Sequence, residues 1–175
     1  MLGNKFIQGM PLEARVVLLA ARSVSGSNGE VELDPVLSNA DINWGTIRSY
    51  LDYHDLSSLV YPDFRKYSLI SNAGIKSLEN VYYYCLFYNS LLWHEFVMVA
   101  TILKENSIVF TPLKGVAFIA ERLYKERSFS RPMCDIDLLI KKEDLGFVET
   151  IMEGLGYSKN THGLKEDYWK NHHFQ

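Results

Sequence analysis

The chain has 175 residues, of which 47% are hydrophobic and 22% charged, a composition typical of folded globular proteins that excludes disordered and fibrous classes. The formal net charge of -3 gives no overall positive field for a nucleic-acid backbone, so we expect no strong nucleic-acid binding. Two cysteines, Cys85 and Cys134, are too few for a disulfide framework. The longest apolar run has eight residues (81–88, VYYYCLFY), against the roughly 18 of a membrane span. We therefore expect a cytoplasmic protein with no membrane partner.

The first half of the sequence predicts helices. Apolar residues recur at helical spacing over residues 12–21, directly after Pro11, whose fixed φ suits the start of a helix. Residues 56–61 form another apolar segment. We expect it to end at Pro62, because proline disrupts a helix interior.

The longest predicted helix covers residues 75–105. Its apolar residues fall near the i, i+3, i+4, i+7 spacing of one buried face. Asn89 is predicted on the wetter side, and Asn89-Ser90 is a point where the helix could break. The tyrosines of residues 81–88 are predicted to lie in a packed core, and stacking on a nucleobase is the alternative. This helical half could also form the contact surface of a homo-oligomer.

After residue 106 the pattern alternates between strand and helix. The predicted elements are a strand (108–110, before Pro112), a helix (116–126), a strand (134–140), a helix (142–153) and the beginning of a third strand (157–159). This order predicts an α+β protein with a helical region at residues 1–105 and a partial α/β core at residues 106–175. A stable sheet usually needs more strands. We therefore expect the chain to be the start of a longer protein.

Two acidic residues, Asp135 and Asp137, lie in the otherwise apolar segment CDIDLLI. Side chains alternate along a strand, so both carboxylates would lie on one face, about 7 Å apart, with Ile136 facing the core. Aspartate is unfavourable in strands, and the two charges repel each other. A divalent cation that prefers oxygen ligands, such as Mg²⁺, would compensate them. The alternative is a pair of carboxylates at a solvated strand edge.

A lysine and a glycine, Lys114 and Gly115, lie between the first predicted strand and its helix. Such a turn exposes backbone N–H groups that attract phosphate, and Lys114 would add positive charge; the alternative is a glycine turn with a surface lysine. Arg131 precedes the acidic segment and could bind polyphosphate oxygens, or form a structural salt bridge to one of the aspartates. Three further basic residues are predicted to be solvated helix-end charges: Arg122, Lys125 and Arg127.

Together these features form the pattern LKGVAFIAERLY…SRPMCDIDLLIKKEDLGFVETIMEGLGY. It resembles the nucleotidyltransferase superfamily of the DNA polymerase β type. More closely, it resembles an uncharacterised bacterial nucleotidyltransferase-like family whose core combines LKG, an arginine, a DIDLL-type strand and a Gly-Tyr pair. The resemblance covers residues 108–157, and more weakly the helical region before them. It implies that residues 106–175 form part of a nucleotidyltransferase-like β-α-β-α core.

The resemblance also implies a site. Asp135 and Asp137 would be the catalytic carboxylates that bind Mg²⁺, and Lys114, Gly115 and Arg131 would lie around the phosphates of a nucleoside triphosphate. The implied reaction moves a nucleoside monophosphate to an unidentified acceptor and releases pyrophosphate. The Lys-Gly pair stands where the superfamily carries Gly-Ser, which leaves open how the phosphates are held.

A third catalytic carboxylate is expected on a later strand. Glu166 and Asp167 lie in a polar stretch without a strand pattern, so we expect this acid beyond Gln175. Three hypotheses follow: a metal-dependent nucleotidyltransferase, a catalytically incomplete nucleotide-binding or regulatory module of the same fold, and a structural protein in which the two aspartates are incidental. The sequence leaves open whether the 175-residue chain is active.

Overall fold

A computed structural model of the chain describes residues 9–25, 33, 35–37, 42–67 and 72–159. Its helices are α1 (Leu12–Val24), α2 (Trp44–Tyr53), α3 (Ser57–Phe64), α4 (Asn72–Glu105), α5 (Lys114–Ala120) and α6 (Leu145–Gly154), with strands β1 (Phe110–Leu113) and β2 (Asp137–Ile140) and 3-10 helices at Lys125–Ser130 and Lys142–Asp144. The protein is therefore of the α+β class, as predicted. The division at residue 105 stays a prediction.

The helical region is held by one core in which α1, α2 and α3 pack against the first half of α4. Helix α2 begins after Asn43, whose side chain accepts a hydrogen bond from the Thr46 amide at 3.1 Å. Helix α3 continues past Pro62, so the expectation that this segment ends there is wrong. Tyr61 and Phe64 lie on either side of this proline and are buried, and their burial favours the helical continuation.

Helix α4 is one uninterrupted helix of 34 residues, so the break at Asn89-Ser90 does not occur. Asn89 is 1% exposed, which corrects its predicted place on the wetter side. The tyrosine-rich segment is also different from expectation, because much of it faces outward. Tyr84 and Phe87 are 68% and 65% exposed. Tyr84 stacks on Tyr88, with ring centroids 6.0 Å apart. A homo-oligomer through this region stays a prediction.

By length and composition alone, α4 could cross a membrane. Over Ala73–Glu105 the best 18-residue window has a mean hydropathy of 1.3, and 28% of that window is buried within the protein. A helix in a protein core can have the same length and composition. The expectation of no membrane partner stays a prediction.

Strands β1 and β2 form an antiparallel pair in which Phe110 lies opposite Ile140 and Leu113 opposite Asp137. The pair packs on the second half of α4, where Phe96, Ala100 and Val116 form one buried cluster together with part-buried Ile136 and Leu138. A second cluster joins α4 to α6. The same long helix therefore contributes to the core of the helical region and to the packing of the strands.

The element bounds differ from prediction in several places. Strand β1 begins two residues later than expected and includes Pro112, and β2 begins at Asp137 rather than Cys134. The helix expected to reach residue 126 ends at Ala120 and is followed by a separate 3-10 helix. Residues 157–159 form no strand; Tyr157 packs against α4 and donates a hydrogen bond to Glu95 instead. Glu166 and Asp167 lie outside the described residues.

Candidate functional site

The strand register brings the predicted lysine and one predicted aspartate together. Because Leu113 lies opposite Asp137, the residue that follows β1 stands beside the start of β2. That residue is Lys114, whose φ of 47° turns the chain sharply out of the strand. Its Nζ lies 2.8 Å from Oδ2 of Asp137. This contact defines the candidate site, which we call the Lys114–Asp137 corner.

Asp135 lies near the same corner but not on the strand. It is exposed and belongs to the irregular segment before β2, so the prediction that both carboxylates share one face of a strand is wrong. The register explains this, because Asp137 pairs with Leu113, the last residue of β1, and the chain turns into α5 directly after Leu113. The hydrogen bond and charge of Asp137 raise the pKa of Lys114, and the charge of Asp135 adds to that rise. Asp137 is therefore the main electrostatic partner of Lys114, and Asp135 is a weaker one.

One oxygen of Asp137 is shielded from water and lies against the lysine. Its Oδ2 atom is buried, and the Lys114 ammonium, 2.8 Å away, is its charge partner. An oxygen of this kind suits a cation, because a carboxylate that is shielded from water needs compensating charge. The described residues contain no group of three or more His, Cys, Asp or Glu that could hold a metal ion. The residues fit a two-carboxylate metal site that leaves further ligand positions to phosphate and water.

Gly115 lies where a side chain would overlap that of Met133. It is buried, and a Cβ atom there would lie 2.7 Å from Cγ of Met133 and even closer to its Sδ. The missing side chain lets the beginning of α5 approach the segment that leads to Asp135. Gly115 therefore supports the geometry of the corner, and its predicted phosphate contact stays a prediction.

Arg131 does not form an ion pair with either aspartate among the described contacts. Its guanidinium lies over the ring of Phe118, 5.2 Å from the centroid, and its Nη1 donates to the Pro132 carbonyl at 3.3 Å. The structural salt bridge offered as the alternative is therefore not formed. The guanidinium instead rests on the face of an aromatic ring, and its predicted phosphate contact stays a prediction.

The segment that leads into the site is fixed by polar side chains of the helical region. Asn89 Nδ2 donates to the carbonyls of Phe129 at 2.7 Å and Arg131 at 2.6 Å. Ser58 donates to the Ser130 carbonyl. Sequence reasoning missed these residues. The only signal for Asn89 is its position four residues after Cys85, on the buried face of α4.

An ion pair in the core holds the same segment one turn earlier. The guanidinium of Arg127 binds Asp63 through both nitrogens, at 2.6 and 2.8 Å. Arg127 is thus not a solvated charge, which corrects the prediction. Burial acts to raise the pKa of Asp63, but hydrogen bonds from Arg127 and Ser23 outweigh it, and the pKa of Asp63 lies below its usual value. The carboxylate is therefore charged and structural.

The model of the uncharacterised nucleotidyltransferase family matches residues 40–175, which is most of the chain. The chain belongs to this family. Its match covers the Lys114–Asp137 corner, the segment with Arg131 and most of the helical region. No curated protein and no solved structure matches the chain. Membership in the uncharacterised nucleotidyltransferase family confirms the resemblance drawn from the LKG and DIDLL motifs and suggests nucleotidyltransferase activity.

Proposed function

We propose that the protein is a metal-dependent nucleotidyltransferase that transfers a nucleoside monophosphate from a nucleoside triphosphate to an acceptor hydroxyl. The observation that carries this proposal is the Lys114–Asp137 contact of 2.8 Å with Asp135 close by. It combines two carboxylates for a cation with one ammonium for phosphate, at one end of a small sheet. Family membership supports the same reaction class.

Four residues have distinct tasks in this proposal. Asp135 and Asp137 would hold the Mg²⁺ ion through their carboxylate oxygens. Lys114 would neutralise phosphate oxygens with its compact ammonium group, and Arg131 with its planar guanidinium. A bound Mg²⁺ would supply Lewis-acid stabilisation of the charge on the triphosphate.

The reaction forms one bond and breaks one. The acceptor oxygen bonds to the α-phosphorus, the bond from that phosphorus to the bridging oxygen breaks, and pyrophosphate leaves. The acceptor proton needs a base, and the corner offers no third carboxylate among the described residues. We propose that the base lies outside them, as the resemblance implies.

The alternative is a nucleotide-binding or regulatory module of the same fold without turnover. It uses the same corner and predicts the same metal-dependent binding. The two differ in pyrophosphate release, which only the enzyme produces when an acceptor is present.

Binding at the corner can be tested by thermal unfolding of the chain with ATP and Mg²⁺. Ligand at about 100 times its Kd should add about 2.7 kcal/mol to the free energy of unfolding. This gain should require Mg²⁺ and disappear in the double variant Asp135→Asn with Asp137→Asn. A control of equal charge change is Glu143→Gln with Glu153→Gln, two exposed acids outside the corner.

The outcomes separate the hypotheses. A metal-dependent gain that survives in the aspartate double variant would refute the proposed site. Pyrophosphate release by the chain, or by a longer form of the protein, supports the enzyme, and binding without release supports the module.

A further inference from the structure

A cation already lies against Asp137 in this structure, and it is the protein's own. The Lys114 ammonium is 2.8 Å from Oδ2, a buried oxygen of the carboxylate that a metal ion would bind. The lysine side chain is 69% exposed, so it reaches the carboxylate from the solvent side. A free divalent ion would therefore compete with Lys114 for one oxygen.

The backbone around Lys114 has little freedom to relieve this competition. Leu113 is fixed by its pairing with Asp137, and Gly115 is pressed against Met133. The exposed lysine side chain, in contrast, is a flexible four-carbon stem. Exchange at Oδ2 can therefore occur by rotation of one side chain while the strands and α5 keep their positions.

From this geometry we propose that Lys114 is the counter-ion of Asp137 in the ligand-free protein and moves to the polyphosphate when a metal–nucleotide complex binds. The inference rests on the proposed function and adds to it a change of partner for Lys114. A metal ion alone displaces the ammonium and leaves it beside a second cation, which is unfavourable. A metal–nucleotide complex brings its own phosphate oxygens, to which the displaced ammonium turns.

This exchange makes metal and nucleotide binding cooperative. Each ligand should bind more tightly in the presence of the other, by the same factor, because coupling free energies are reciprocal. Such couplings typically correspond to about 5- to 150-fold in affinity. The site should therefore select the metal–nucleotide complex over the free ion.

The test measures Mn²⁺ binding by electron paramagnetic resonance, with and without a non-hydrolysable ATP analogue. In Lys114→Met the competitor is gone, so Mn²⁺ alone should bind at least about 5-fold more tightly than in the wild type, and the coupling to nucleotide should shrink to the part that comes from direct contact between metal and phosphate. Lys114→Arg keeps the positive charge and should retain the coupling. Lys142→Met removes an exposed lysine outside the corner and serves as the matched control.

One result would overturn the lysine exchange and a different result would overturn the proposed function. If Lys114→Met binds Mn²⁺ alone no more tightly than the wild type, while nucleotide binding still needs metal and Asp137, the lysine exchange is wrong and the proposed function stands. If the wild type binds no Mn²⁺ even with nucleotide, or binds it equally in Asp135→Asn with Asp137→Asn, the proposed function fails. Circular dichroism of each variant confirms that a changed affinity does not come from unfolding.

Discussion

Two carboxylates in this protein are each paired with a basic side chain, but their surroundings differ. The side chain of Asp63 is fully buried and is bound by both nitrogens of Arg127 and by Ser23. Asp137 is 32% exposed and has one basic partner, Lys114, with its Oδ2 atom otherwise unsatisfied. The first carboxylate has no free capacity for a ligand, and the second does.

The difference separates a structural pair from a candidate binding site. A buried ion pair is stable only when its lone pairs and protons are satisfied, as those of Asp63 are. An exposed pair contributes little to stability and can be rearranged at low cost. Removing the charge of Asp63 should therefore lower the stability of the fold. Removing the charge of Asp137 should instead weaken ligand binding.

The largest expected effect is on folding, in the variant Asp63→Asn. The asparagine keeps the shape of the side chain but leaves the charge of Arg127 without its partner, so the free energy of unfolding should fall by about 3–5 kcal/mol. Urea denaturation measures this loss. Glu143→Gln breaks an exposed ion pair to Lys141 and should leave the midpoint of urea denaturation almost unchanged. If both variants lost the same free energy of unfolding, the buried and the exposed ion pair would not differ in their contribution to stability.

A smaller effect is expected from Gly115→Ala, which tests how the corner is packed. The new Cβ would overlap the side chain of Met133 and should cost about 1–3 kcal/mol. Met133→Ala removes the overlapping Sδ and Cγ atoms. It leaves only the Cβ of residue 133, which lies 3.5 Å from a Cβ at residue 115. In the Met133→Ala background the same glycine substitution should therefore be neutral or stabilising, because alanine favours a helix. Additive costs in the double variant would show that Met133 is not the obstacle.

The smallest expected effect is a dependence on pH of the stability that Asp63 contributes. The pKa of Asp63 is lower in the folded chain than its usual value of 3.8. Its contribution to stability is therefore fully present above 3.8 and is lost as the pH falls through the lower folded pKa. The difference in unfolding free energy between the wild type and Asp63→Asn should shrink as the pH falls from about 5 towards about 2. A difference that stays constant over this range would contradict the assignment.

Local patterns predict much of this molecule. The periodicity of apolar residues predicts α4 because a helix with one buried face repeats every 3.6 residues. The strand–Lys-Gly–helix and acidic-strand patterns predict that Lys114 and Asp137 meet, and the pairing of β1 with β2 brings them together. The same patterns do not predict that Arg131 turns to Phe118.

What sequence reasoning misses are contacts between distant segments. Asp63 and Arg127 are separated by 64 positions, and nothing local marks either as the partner of the other. Asn89 looks like a polar residue on a wet face, but it is buried because the carbonyls of a remote 3-10 helix end there. Asp135 stands in a strand-like pattern yet precedes the strand, since the partner strand β1 ends at Leu113, opposite Asp137.

Helix α4 has a consequence for any attempt to divide this chain. Its first half supplies Leu78 to the helical core, its middle supplies the amide of Asn89, and its last turns supply Leu103 beneath the strands. A cut at residue 105 would separate the strands and α6 from the part of α4 against which they pack. Because α4 packs against both regions, we expect a substitution that weakens α4 to destabilise both of them.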